Sequence, residues 1–176
     1  MARTLAGDLD AYGELVARYT AVAHRAAALS GAGADAEDVV QDAFVKAFRK
    51  LRTFRAGEPF KPWLLRIVVN EASNLRRSLH RRGALALRTA RTGTVDGPEN
   101  DVLGEERRDA LLTAVRALPD RDRLVLTCRY FLELSEAETA QVLGWPAGSV
   151  KSRTARALAR LRNRLGAHTT EEVSGA

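Results

Sequence analysis

Apolar side chains recur every three or four positions along most of the chain, a spacing that predicts helices throughout and no convincing strand. The first helix is expected over about residues 8–29, with Leu9, Tyr12, Leu15, Val16, Tyr19, Val22 and Ala26 on one stripe until Gly31 and Gly33 break it. Asp35 then reads as the N-cap of a helix reaching about Leu51, with Glu37 and Asp38 suited to the positive end of its dipole. Val40, Ala43, Phe44, Ala47, Phe48 and Leu51 form its expected buried face. Gly57 and Pro59 mark a turn, and Pro62 suits the start of another helix. The pattern from Trp63 through Leu64, Ile67 and Val68 runs unevenly to about Arg82. Asn70, Ser73 and Asn74 interrupt it with side chains that compete for backbone hydrogen bonds.

The composition then changes. Residues 83–100 lose the apolar period, and Gly93, Gly97 and Pro98 cluster with Thr89, Thr92 and Thr94, as in a flexible linker. Helical pattern resumes near Val102, with Leu103, Leu111, Leu112, Val115 and Leu118 before Pro119, and again over about 121–132. The polar tail at 167–176 is expected to fray. The fold class is therefore all-α: two small helical domains, 8–82 and 101–166, joined by the linker. Each domain is short enough to need tight helix packing.

The stretch LSEAETAQVLGWPAGSVKSRTARALARLRNRL, residues 134–165, is the most specific local signal. Ser135, Glu136 and Glu138 open a helix, Ala137, Ala140 and Leu143 recur at the spacing of a buried face, and Gly144 ends it. Pro146 and Gly148 hold a turn, and Ser149 reads as the next N-cap. The second helix carries Lys151, Arg153, Arg156, Arg160, Arg162 and Arg164, with no acid between Glu138 and Glu171. A short helix, a glycine-containing turn and a basic helix describe a helix-turn-helix that reads a DNA major groove. The plainer alternative is a helical hairpin with a solvated basic face.

Charge supports a polyanionic partner. The 176 residues carry a net +6, with an isoelectric point near 10.1, which favours nucleic acid over an anionic membrane surface. No apolar run approaches the ~20 residues of a membrane span, and the N-terminus lacks a signal-peptide pattern, so a cytoplasmic location is expected. The single cysteine, Cys128, sits in an apolar run and reads as a small buried hydrophobe. His24, His80 and His168 show no metal-ligand spacing, so neither a metal nor another cofactor is expected. No GxxxxGK[ST] phosphate loop is present, and Asp35, Glu37 and Asp38 read as helix-start acids rather than a metal cluster. A nucleic-acid enzyme is thus the weaker reading.

The end of the first domain is also basic. Lys61, Arg66, Arg76, Arg77, Arg81, Arg82, Arg88 and Arg91 face the single acid Glu71. Phe54, Phe60 and Trp63 lie beside them, as either stacking platforms for single-stranded bases or core residues. Asn70, Ser73 and Asn74 suit either hydrogen bonding to an extruded base or plain turn chemistry. The exposed face of the second helix carries Asp38, Gln41, Asp42, Lys46 and Arg49, a solvated face or a protein-docking one. A duplex reader tethered to a single-strand reader suits a protein that helps open DNA.

These segments resemble, in order, parts of an extracytoplasmic-function (group IV) sigma factor of the sigma-70 family. DAEDVVQDAFVKAFRKLRTFR (35–55) is similar to region 2.1–2.2, PWLLRIVVNEASNLRR (62–77) to regions 2.3–2.4, and LPDRDRLVLTCRYFLELSEAETAQVLGWPAGSVKSRTARALARLR (118–162) to region 4. The resemblance implies a non-enzymatic promoter-specificity subunit. Asp38, Gln41, Asp42, Lys46 and Arg49 would dock on the β′ clamp helices of core RNA polymerase, with Phe44 as core support. Asn70, Ser73 and Asn74 would lie in a loop that captures a flipped base of the −10 element, with Arg66, Arg76 and Arg77 on phosphates. Ser149, Lys151, Ser152, Arg153 and Arg156 would serve the −35 element, Arg153 on phosphate or in a structural role. Implied partners are core polymerase (β′ clamp and β flap), duplex and single-stranded promoter DNA, and an anti-sigma factor. Asn74, Thr139 and Ala155 depart from the family pattern, Thr139 standing where isoleucine or valine is usual. The alternative function is a stand-alone helix-turn-helix regulator.

Overall fold

The computed structural model describes residues 2–55, 57–83 and 102–173, and every regular element among them is helical. A short helix α1 (Ala2–Leu5) precedes α2 (Leu9–Ala27), whose first turn is closed by the Asp8 carboxylate accepting from the Ala11 N–H at 3.0 Å. A wide π-helical turn, Ala28–Ala32, carries the chain round through Gly31 at φ 109°. Helix α3 (Ala36–Lys50) follows, but Asp35 makes no side-chain cap. A 3-10 turn over Gly33–Asp35 supplies the Gly33 carbonyl to the Ala36 N–H instead. Of the face expected to be buried, Phe48 is the exception at 44% exposed, its ring leaning on Tyr12 at the rim of the α2–α3 contact.

Helix α4 (Phe60–Gly83) starts earlier than expected and runs unbroken through Asn70, Ser73 and Asn74. Leu64, Leu65, Val68, Val69 and Ala72 are buried along it, and that packing outweighs the weak helix propensity of the three polar residues. The expected linker lies, after Gly83, outside the described residues. Beyond it come α5 (Val102–Arg116), α6 (Asp120–Leu126) with a π-helical extension Thr127–Phe131, α7 (Glu136–Leu143) and α8 (Ala147–Val173). The tail expected to fray from residue 167 is helical to Val173.

Helices α2, α3 and α4 pack on one another. Ala23, Ala26, Ala43, Ala47 and Ala72 are fully buried between them, and such small side chains let helix axes approach closely. The Tyr12 hydroxyl donates to the Phe44 carbonyl at 2.6 Å, tying α2 to α3. Phe54, Phe60 and Trp63 form one aromatic cluster, with both phenyl rings buried and the indole half-buried, so they are core residues rather than an open stacking platform. In the C-terminal unit, α8 packs on α5, α6 and α7 around Val115, Leu118, Val125, Leu126, Val150, Ala157 and Leu161.

The two units share a core. Helix α4 lies against α7, and Cys128, Leu132, Leu134 and Val142 join the apolar cluster built by α2–α4. Periodicity within each segment carries no information about that contact.

Candidate nucleic-acid and docking surfaces

The helix-turn-helix is built by local chemistry. Ser135 caps α7: its hydroxyl accepts from the Glu138 N–H at 3.2 Å, while the Glu138 carboxylate accepts from the Ser135 N–H at 2.8 Å. Donation to that carboxylate from the Ser135 N–H and from the Ser135 hydroxyl holds the Glu138 pKa below its ordinary value. Gly144 closes the helix in the left-handed conformation at φ 67°. The buried stripe of α7 is Thr139 and Val142, while Ala137 is exposed and Ala140 and Leu143 half-buried, because α7 is wedged between α4 and α8. Helix α8 starts at Ala147, so Ser149 lies inside its first turn instead of capping it, donating its N–H to the Pro146 carbonyl at 2.9 Å.

Val150, Ala157 and Leu161 fix the buried face of α8, leaving Ser149, Lys151, Ser152 and Arg156 exposed on its N-terminal half. Arg156 lies along the helix, its Nε donating to the Ser152 carbonyl at 3.3 Å. Arg153 points elsewhere. It donates to Asp122 Oδ1 at 3.2 Å, and Arg160 donates to Asp122 Oδ2 at 2.6 Å. Asp122 is 0% exposed, so this acid pins α6 to α8 and sets how the basic helix is presented. The sequence reading missed that role: Asp122 is one charge in a run of charges, 31 residues from its first partner.

On α4, Arg66, Asn70, Asn74 and Arg77 are exposed and Ser73 half-buried. Their spacing places them on one stripe of an unbroken helix instead of in a loop. Arg77 donates to Asn74 Oδ1 at 2.7 Å, which orients the Asn74 amide. Arg76 leaves the stripe and pairs with Asp120 at the start of α6; burial lowers its pKa from the ordinary value. On α3, Asp38, Gln41, Asp42 and Arg49 are exposed and Lys46 is half-buried. Lys46 pairs with Glu71 of α4. Two apolar side chains are exposed beside them, Val45 at 49% and Phe48, which the helical pattern placed on the buried face. Beside them a groove of about 750 Å³ between α2 and α3 is lined by Val16, Thr20, Val40, Gln41, Phe44 and Val45. Among the described residues no cluster of acids, histidines or cysteine could hold a metal ion.

Known proteins match both units. Sigma-70 region 2 matches residues 15–82 and Sigma-70, region 4 matches residues 108–161. The ECF RNA polymerase sigma-E factor of Escherichia coli (strain K12) is 35% identical, over 93% of this chain and 91% of that protein. RNA polymerase sigma factor NccH of Alcaligenes xylosoxydans xylosoxydans is 34% identical, over 90% and 89%. The structure of CnrH in complex with the cytosolic domain of CnrY superposes with a TM-score of 0.72 at 30% identity, covering 94% of each chain. RpoE of Bartonella quintana, solved with the anti-sigma factor NepR, gives 0.74 at 23% identity over 88% and 96%, a likeness of fold. Matching regions 2 and 4 in order, over nearly the whole length of such relatives, this chain belongs to the extracytoplasmic-function sigma factors of the sigma-70 family, which recognise promoters for RNA polymerase.

Proposed function

We propose that the chain docks on core RNA polymerase through the α3 face, Asp38, Gln41, Asp42, Lys46 and Arg49, with Val45 and Phe48 supplying apolar contact. It reads −35 duplex through Lys151, Ser152 and Arg156, with Ser149 on the backbone and Arg153 positioning the helix through Asp122. It engages the −10 strand with Asn70, Ser73 and Asn74, and its phosphates with Arg66, Arg76 and Arg77. The observation that carries this reading is the exposed basic start of α8, held in place by a buried carboxylate. Side chains that reach base edges from a helix in the major groove give specificity, and cations on phosphates give affinity that falls steeply with salt.

In this reading the catalytic chemistry belongs to the polymerase, and the chain acts in the cytoplasm where polymerase does. No helix among the described residues is long and apolar enough to cross a membrane. Its further partner is an anti-sigma factor; the 30%-identical CnrH is held by the cytosolic domain of CnrY.

The test is run-off transcription with bacterial core polymerase on pooled promoter DNA, with and without the chain. Chain-dependent transcripts sharing an upstream sequence are expected. Asn70→Ala should slow open-complex formation more than closed binding. Absence of transcripts together with absence of co-elution with core would transfer the assignment to a stand-alone regulator.

A further inference from the structure

Glu71 is the one acid on α4, a helix that otherwise carries Lys61, Arg66, Arg76, Arg77, Arg81 and Arg82. It follows Asn70 and lies one turn before Asn74, so its carboxylate borders the stripe assigned to the −10 strand. A notch of about 430 Å³ between α3 and α4 is lined by Asn74 together with Asp35, Asp38, Asp42 and Glu71; Arg81 lines it two turns further along. Acids along the edge of a surface that meets DNA repel its phosphates. Lys46 answers one of them: its ammonium crosses from α3 and pairs with Glu71. The Glu71 side chain is 19% exposed, so its charge is screened by solvent less than that of a surface acid. By position Lys46 belongs to the α3 face, but its ammonium is turned to α4.

We propose that Lys46 is a positioning residue for the −10 surface, acting through Glu71: by neutralising that carboxylate it lets a single strand lie along Asn70, Ser73 and Asn74. The proposal rests on the reading of α4 as the −10 surface and names a charge on a different helix that this surface depends on. Residues three apart on a helix have Cβ atoms about 5–6 Å apart. An unpaired Glu71 would therefore act on a phosphate near Asn74 from within the Debye length of about 8–10 Å. Arg77 already orients the Asn74 amide through its hydrogen bond to Oδ1, so what Lys46 supplies is charge rather than the direction of that amide.

The test uses the full chain assembled with excess core polymerase, so that a weaker docking affinity is filled in. The probe is a labelled single DNA strand of mixed sequence, about 12 nucleotides long, and the readout is the strand binding that the chain adds to core. Lys46→Ala should weaken that binding about tenfold, the equivalent of roughly 1.4 kcal/mol. Lys46→Gln keeps a hydrogen-bond donor for Glu71 without the charge and should show the same deficit. Adding Glu71→Gln to either variant should restore binding to within about twofold of wild type, although no ion pair is re-formed. Raising salt from about 0.05 to 0.5 M should narrow the gap between Lys46→Ala and wild type, which a loss of packing would not do. Wild-type binding by Lys46→Gln, or double variants no better than the singles, would overturn the proposal. A wild-type chain that adds no strand binding to core would remove the −10 reading and this proposal with it, an outcome that run-off transcription checks separately.

Discussion

Replacing Asp122 by alanine is the sharpest perturbation the fold offers. The carboxylate is fully buried and accepts from Arg153 at 3.2 Å and Arg160 at 2.6 Å. A hydrogen bond to a charged group contributes roughly 1.5–3 kcal/mol. The Arg160 side chain is 55% exposed, against 24% for Arg153, so solvent screening reduces the Arg160 share to about 1 kcal/mol or less. Loss of the acid should therefore cost about 2–4 kcal/mol, the Arg153 share plus the screened remainder and a small cavity. In urea, with a slope of about 2 kcal/mol per molar, the midpoint should fall by about 1–2 M, read by far-ultraviolet circular dichroism. The arginines should behave asymmetrically. Arg160→Ala leaves Asp122 its Arg153 partner and should cost under about 1 kcal/mol, while the double arginine variant should cost more than the sum of the singles because both share one acceptor. Without urea, Asp122→Ala should also lose preference for −35 duplex over random duplex, since α8 is no longer pinned to α6. The reasoning fails if Asp122→Ala is within about 0.5 kcal/mol of wild type, or if Arg160→Ala costs as much.

Thr139 is fully buried and its hydroxyl finds no hydrogen-bond partner, so Thr139→Val should stabilise the chain by about 1 kcal/mol. A thermal melt should then rise by about 2–4 °C; a fall would mean that the added methyl bulk is not accommodated. Arg156→Ala removes an exposed side chain and should leave stability within about 0.5 kcal/mol of wild type. In the polymerase holoenzyme it should weaken −35-dependent binding by about 1–3 kcal/mol, and a loss of core affinity instead would count against its assignment. The capping carboxylate of Glu138 has its pKa lowered from 4.5, first by the Ser135 backbone and then by the Ser135 hydroxyl. A lowered folded-state pKa means the capping stabilisation is fully present above 4.5 and lost as pH falls through the folded value. Glu138→Gln should flatten that acid limb in melts taken between about pH 3 and 7; an unchanged limb would show that other groups produce it.

The sequence by itself determined several elements whose cause is local, although the caps expected at Asp35 and Ser149 do not form. Ser135 with Glu138, and Gly144, act on backbone groups within a few residues, so the limits of α7 were legible, whereas the Asp8 cap of α2 emerged only in the structure. The exposed start of α8 and the charged face of α3 were legible because burial follows helical period there. Where competing packing entered, local reading failed. Asn70, Ser73 and Asn74 look like a break, yet the buried Val68, Val69 and Ala72 among them keep α4 continuous. Ala137 looked buried because alanine's small side chain says little about which way a helix faces, and the wedge between α4 and α8 turned Thr139 and Val142 inward. The tertiary structure alone decided the pairs that join distant segments: Asp122 with Arg153 and Arg160, Arg76 with Asp120, and Cys128 inside the N-terminal cluster. Periodicity reports which face of a helix seeks an apolar partner, whereas the partner is chosen by shape and charge brought together only when the chain has folded.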